Sequence, residues 1–394
     1  MADQPTDLSR RGALKTIGAA TGAAGVSGLA SAHPGEKVEV NVGFANSAGA
    51  RAFRRKADDV VREFDFDAGT ARMPRAAADA LDNNPNVRYV EENGTMQALG
   101  ETQPYGIDRV DADVTRANGD TGSGADVAIL DTGIDSDHPD LQANVGEGKA
   151  FTTCSTKGGC RYGAKPADNT CKQSWDDDNN HGTHCAGTAD AAANTEGVVG
   201  VATEATLHAV KVLETCGSGS FSDIAAGVEY VANKGWDVAS MSLGASSGSA
   251  ALKDAVQFAA DKGVFLVASA GNSGPCTECV GYPASYSEVV AVGATDSTDS
   301  LASFSSTGSE VEIAAPGVGV LSTIPGGYTE YSGTSMSCPH VAGAAGVLMA
   351  NGATASDVRS TLTSSAEDIG LASNETGSGL LDVAAAAGLD SSDN

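Results

Sequence analysis

The chain has 394 residues, 41% hydrophobic and only 5% aromatic, which is long enough for two or three domains and apolar enough to fold, so wholesale disorder is excluded. Its 24 Lys and Arg stand against 51 Asp and Glu, a formal net charge of −27 that repels phosphate backbones and anionic lipid and excludes nucleic acid as an expected partner. The charge is unevenly placed, with 12 basic and 13 acidic groups in residues 1–99 but 12 and 38 in residues 100–394. Self-repulsion on that scale penalises compaction in dilute salt and is screened within about 3 Å at 1 M ionic strength, so the composition reads as adaptation to brine.

At the N-terminus, Arg10-Arg11 precede a weakly apolar Ala/Gly stretch over residues 17–30 and the small-residue triplet Ala30-Ser31-Ala32. That order predicts an export signal over residues 1–32, of the twin-arginine type that carries folded cargo. No later stretch reaches the ~18 apolar residues of a membrane span, so the mature protein is expected to be secreted, extracellular, without a stable membrane anchor, and monomeric. Eight cysteines fit an oxidising compartment. Cys276 and Cys279 are spaced for a local loop, and Cys154, Cys160, Cys171 and Cys216 suffice for two more bridges of open pairing. Zinc is the poorer reading, because the lone CxxC has no second such pair.

Residues 33–99 read as a small α+β unit. A strand is expected at 37–44, a helix over 48–64 with Phe53, Val60, Val61 and Phe64 on one side, a helix at 75–81 ended by Asn83-Asn84-Pro85, and a strand at 87–91. From residue 100 to 394 the pattern changes to short Val/Ala/Ile runs at 126–130, 207–213, 238–243, 264–268 and 289–292, separated by helical segments such as 221–233 and 250–262. Apolar strands alternating with helices predict an α/β domain, a parallel sheet covered on both faces.

Three segments combine a potential catalytic group with small residues. Asp131 ends the strand Val127-Ala128-Ile129-Leu130, where open α/β sheets gather their sites. His181 opens the helix start His181-Gly182-Thr183-His184-Cys185, and Ser335 lies in Gly333-Thr334-Ser335-Met336-Ser337 at the head of another helix, where free amides favour developing negative charge. A serine hydroxyl needs an imidazole to take its proton, and the imidazole needs a carboxylate to orient it. Asn272, in Ala270-Gly271-Asn272-Ser273-Gly274, is placed to donate to an oxyanion. An esterase elbow is disfavoured, since Gly333-Thr334-Ser335-Met336-Ser337 lacks the second glycine of GxSxG. A catalytically silent binding protein of the same fold is disfavoured by the intact set.

The segments DTGIDSDHPDL, HGTHCAGT, SAGNSG and GTSMSCPH resemble those of the subtilisin-like serine peptidases, and the acidic composition with a twin-arginine signal resembles the halolysins of salt-loving archaea. The resemblance implies a three-layer α/β/α subtilisin-like domain over residues 100–394, preceded by a ferredoxin-like inhibitory propeptide over 33–99. It assigns Asp131, His181 and Ser335 as the triad and Asn272 as oxyanion donor. It also implies self-cleavage between Leu99 and Gly100, with the propeptide acting as folding aid and inhibitor.

Peptide and protein substrates are expected to add as a strand beside Gly217-Ser218-Gly219 and beside Ser242-Leu243-Gly244. A large apolar residue is preferred before the cut, although Glu278 near the pocket would instead admit basic side chains. Structural calcium is implied at the side chains of Asp140, Asn194 and Glu101 and the main-chain oxygens of Ala192, Glu196 and Val198. Glu101 departs from the family, where an amide oxygen is usual. A further departure is a Cys-rich stretch over residues 152–178, of no assigned purpose. Its acidic run Asp176-Asp177-Asp178 is expected to be a solvated loop, and Cys185 and Cys338 buried packing residues.

Overall fold

The computed structural model describes residues 37–93, 101–156 and 171–391. The export signal, the Leu99–Gly100 cleavage point and Cys160 in the Cys-rich stretch fall outside the described residues. The chain forms two compact units that divide between residues 98 and 99.

The N-terminal unit runs β1 (Lys37–Phe44), α1 (Ser47–Lys56), β2 (Asp59–Phe64), β3 (Ala68–Pro74), α2 (Arg75–Asp82) and β4 (Val87–Glu92), with the antiparallel sheet order β2-β3-β1-β4. This βαββαβ order is the ferredoxin-like arrangement. Val40, Val42 and Phe44 alternate onto the buried face of β1 and meet Phe53, Met73 and Leu81. Asn46 starts α1 by accepting the amides of Ala48 and Gly49.

The expected long helix is corrected here: α1 ends at Lys56, and Val60, Val61 and Phe64 belong to the edge strand β2, where both valines are exposed. Their spacing suits a helix, but a β-branched pair prefers the pleated sheet, and Val60 pairs with Ala71 of β3. The strand β3 was not expected.

The second unit begins with two short helices, α3 (Tyr105–Arg109) and α4 (Ala112–Asn118). Its sheet contains β5 (Asp126–Asp131), β6 (Lys149–Ala150), β7 (Thr206–Lys211), β8 (Val238–Met241), β9 (Phe265–Ser269), β10 (Val290–Thr295) and β11 (Val311–Pro316). All seven are parallel, in the order β11-β10-β9-β8-β5-β7-β6. The helices are α5 (His181–Asp190), α6 (Phe221–Lys234), α7 (Ala250–Asp261) and α8 (Thr334–Ala350), followed by α9 (Ala355–Ser365), α10 (Ser373–Thr376) and α11 (Val383–Ala386). A hairpin of β12 (Val320–Ile324) and β13 (Gly327–Tyr331) precedes α8.

The pleat sorts the side chains into two cores. Val127 and Ile129 of β5 pack with α5 and α8, whereas Ala128 and Leu130 face the other way and pack with α6 and α7. The expected three-layer α/β/α architecture is thus present. After β7 the chain returns to the other side of β5, so the strand order reverses at β5, and such a switch point opens a crevice at the carboxyl ends of the strands. Asp131 is the last residue of β5.

Candidate active site

Asp131 is wholly buried, and one of its oxygens accepts the Thr132 amide at 2.7 Å. Both oxygens lie within reach of His181 Nδ1, at 2.8 and 3.0 Å. A carboxylate only accepts, so Nδ1 carries a hydrogen and Nε2 is the nitrogen left for proton transfer. Burial alone would depress the imidazole, but the Asp131 charge outweighs it and holds the His181 pKa well above its ordinary 6.5.

His181 is the first residue of α5, and the amides of that first turn are satisfied from outside the helix. Asp177 accepts Thr183 N at 2.9 Å and Asn179 N at 2.9 Å, and Thr132 Oγ1 accepts Gly182 N at 2.9 Å while donating to Asp177 at 2.8 Å. The acidic run is therefore no solvated loop: Asp176, Asp177 and Asp178 are all buried. Asp178 pairs with Lys211, both side chains fully buried, and Lys211 also donates to the carbonyls of Thr132 and Leu213. Pairing with donors distant in sequence offsets the desolvation of these charges. Sequence reasoning missed these anchors; the available signal was Asp177 four residues before a helix start, within reach of its free amides.

Ser335 is the second residue of α8, and its hydroxyl donates to the Ser242 carbonyl at 3.3 Å. Asn272 follows β9, and its Oδ1 accepts both the amide and the hydroxyl of Thr334, at 2.9 and 3.0 Å. Because an amide N–H donates only to the oxygen end, Thr334 fixes which end of Asn272 is which and turns Nδ2 outward. Thr334 is a second contributor the sequence reading did not single out.

One cleft of about 1030 Å³ is lined by His181, Asn272 and Ser335 together with Gly217, Ser218, Gly219, Ser242, Leu243 and Gly244. Glu278 also lines it. Cys185 lies against the Ser335 carbonyl and Cys338 against the Ser240 hydroxyl, both free and wholly buried as expected. Burial pushes both thiols up, Cys338 to about 12, so they stay neutral. Cys154–Cys171 and Cys276–Cys279 form disulfides, and Cys216 is disulfide-bonded as well.

The predicted cation loop is gathered around Asp140, which is fully buried. Its oxygens accept Val198 N at 2.9 Å and Asn194 Nδ2 at 3.0 Å, and Glu101 accepts Asn194 N at 2.7 Å. A Cβ at Gly197 would meet Asp140 Oδ2 and Tyr328 Oη, both at 2.1 Å, so only glycine lets the loop wrap this closely. Burial and then the Asp140 charge hold the Tyr328 phenol far above its usual range. The donors are all hard oxygens, which suits a calcium-type ion. As it stands, however, Asn194 turns its nitrogen to Asp140 and its oxygen to Glu196 N at 2.9 Å. Among the described residues, the group of three His, Cys, Asp or Glu side chains close enough to share an ion is Asp131, His181 and Cys185, not this loop.

Known proteins share this arrangement of segments. The profile of the Subtilase family matches residues 122–380. The chain is 41% identical over 359 residues to subtilisin E of Bacillus subtilis, a match covering 88% of this chain and 89% of that protein. It is 45% identical over 311 residues to an alkaline protease of Alkalihalobacillus alcalophilus, covering 78% and 76%. To subtilisin DY of Bacillus licheniformis it is 46% identical over 292 residues, covering 73% and 99%.

Proposed function

The chain belongs to the subtilase family and is a serine endopeptidase, and on that premise we propose that Ser335 is its nucleophile, in a secreted enzyme made as a self-cleaving zymogen and adapted to high salt. The carrying observation is the pair of short contacts from Asp131 to His181 Nδ1 in the same cleft as Ser335 and Asn272.

The chemistry follows from the groups. The Ser335 hydroxyl turns from the Ser242 carbonyl to His181 Nε2, which takes its proton as Oγ attacks the peptide carbonyl. The oxyanion is held by Asn272 Nδ2 and by the Ser335 amide, which lies in the first turn of α8 where no intrahelical acceptor exists. His181, now cationic beside Asp131, returns the proton to the leaving amine. The acyl-enzyme is then hydrolysed by water through the same base. Gly217, Ser218 and Gly219 on one side and Ser242, Leu243 and Gly244 on the other would hold the substrate backbone, with a large apolar side chain before the cut.

Residues 33–99 act in this reading as the propeptide, cut between Leu99 and Gly100. A match over 88% of the chain is longer than the second unit alone, so the likeness to subtilisin E runs into the N-terminal unit. Calcium would be held by Asp140, Asn194, Glu101 and the main-chain oxygens of Ala192, Glu196 and Val198, with the Asn194 amide reversed. Bound there, it would neutralise two carboxylates and fix the loop. Chelation is expected to lower the thermal midpoint, and Asp140→Asn to abolish that sensitivity.

A serine-directed phosphonate tests the central reading. It should add once, at Ser335, and Ser335→Ala should leave the zymogen uncut by mass spectrometry; an unlabelled Ser335 in processed protein refutes the reading. The salt reading predicts that activity and folded signal both rise toward molar NaCl, and equal stability in dilute buffer with calcium supplied would overturn it.

A further inference from the structure

Helix α8 contains Pro339, four residues after Ser335. In a helix the carbonyl of residue i accepts the amide of residue i+4. Position 339 has no amide hydrogen, so the Ser335 carbonyl is denied its ordinary partner. A buried carbonyl left without a donor costs free energy, and other donors take its place. Two side chains from other elements do so here. Ser242 Oγ, just past the end of β8, donates to Ser335 O at 2.8 Å, and Cys185 Sγ, in α5, does so at 3.4 Å. Ser242 and Cys185 are themselves buried.

The Ser242 contact is reciprocal. Its hydroxyl holds the Ser335 carbonyl, while its own carbonyl accepts the Ser335 hydroxyl at 3.3 Å. The residue carrying the reactive oxygen is thereby tied to the carboxyl end of the central strand β8 and to the helix that begins with His181.

We propose that Ser242 is a positioning residue: Pro339 frees the Ser335 carbonyl, and the Ser242 hydroxyl, seconded by the Cys185 thiol, occupies it and sets the first turn of α8 so that Ser335 Oγ and N–H face the substrate. This rests on the reading of Ser335 as nucleophile. It assigns the Ser242 side chain a task separate from its main chain, which faces the cleft. It also gives the proline a chemical reason: a residue with an amide at 339 would compete for the same oxygen.

The test is a double-mutant cycle in the processed enzyme, read by steady-state kinetics on one peptide substrate and by phosphonylation rate. Ser242→Ala should lower kcat about tenfold, the size of one buried hydrogen bond lost in the transition state, with KM within about twofold because the substrate-facing main chain is unchanged. Ser242→Thr, which keeps a hydroxyl, should recover most of the loss. In a Pro339→Ala background the restored amide supplies the carbonyl, so adding Ser242→Ala should cost less than about twofold. Equal cost in both backgrounds, or a loss confined to KM, overturns the proposal. If Ser242→Ala does not fold, the cycle is run with Cys185→Ala, the second donor to the same carbonyl, with Cys185→Ser as its rescue and coupling to Pro339→Ala of the same sign expected. An unlabelled parent enzyme sinks the nucleophile reading instead, whereas a labelled parent with an unaffected Ser242→Ala sinks only this inference.

Discussion

The helices that flank the seven-stranded sheet begin in different ways. α6 and α7 open on side-chain caps, Ser220 accepting Asp223 N and Ser249 accepting Leu252 N, and each keeps an exposed side with one large apolar residue, Phe221 or Phe258. α5 and α8 have no such cap; they start after Asn180, at a φ of 120°, and after Gly333, and the small-residue run of α8 is buried nearly throughout. Caps of the first kind consume the free amides of a helix head to stabilise it. At α5 the amides are used to hold His181 through Asp177 and Thr132, and at α8 that of Thr334 goes to Asn272 while the Ser335 amide is the oxyanion donor of our proposal. The contrast teaches that the two helices bearing the candidate site residues give up local helix stability for placement, and rely on all-round burial to hold them.

The largest expected effect breaks the α5 side of this contrast. Asp131→Asn preserves shape but leaves His181 in the wrong tautomer, and kcat should fall roughly 10⁴-fold with the fold intact by circular dichroism; a loss under about tenfold would mean that the Asp131 to His181 contact does not orient the base. Next comes α8: Asn272→Ala removes the outward Nδ2 and should cost about 10² to 10³ in kcat with little change in KM, measured on a short amide substrate.

How far these elements were legible depended on where their partners lie. The segments that meet at the cleft and the strand–helix alternation could be read because each is local: an apolar run, then a Gly-flanked polar residue. The burial of Asp178 could not, since nothing near it in sequence announces its partner Lys211 on β7. α1 was read too long because Val60, Val61 and Phe64 repeat at a spacing compatible with a helix, and only pairing with β3 settles them as strand. Asp140 and its loop were legible as a donor set, but the orientation of the Asn194 amide is decided by the Glu196 amide, which spacing does not reveal.

Between these extremes lies the pH response. Asp131 holds the His181 pKa above 6.5, and a base must be neutral to act, so kcat/KM should rise about tenfold per pH unit on the acid side and level off only above that raised value. Stability runs the other way: the cationic His181 beside Asp131 contributes fully below the unfolded pKa of about 6.5, and that contribution is lost as pH climbs through the folded one. Activity is thus gained over the range in which this part of the stability is given up. An acid limb centred at or below 6.5 in a pH–rate profile would show that burial, not the carboxylate, governs the ring.

The smallest effect tests the capped helices. Ser249→Ala removes the cap of α7 and should cost about 1 kcal/mol of unfolding free energy, read from denaturant midpoints, with kcat and KM unchanged. Thr354→Ala, which dismantles the capping box of α9, should behave alike. Both sites lie outside the cleft, so neither hydroxyl has a second task there. Ser220 is the less clean choice, because it adjoins Gly217, Ser218 and Gly219 in the wall of the cleft. If Ser249→Ala lowered kcat as well as stability, the helix heads of the two faces would be coupled through the sheet, and the division between capped helices that stabilise and uncapped helices that place reactive groups would fail.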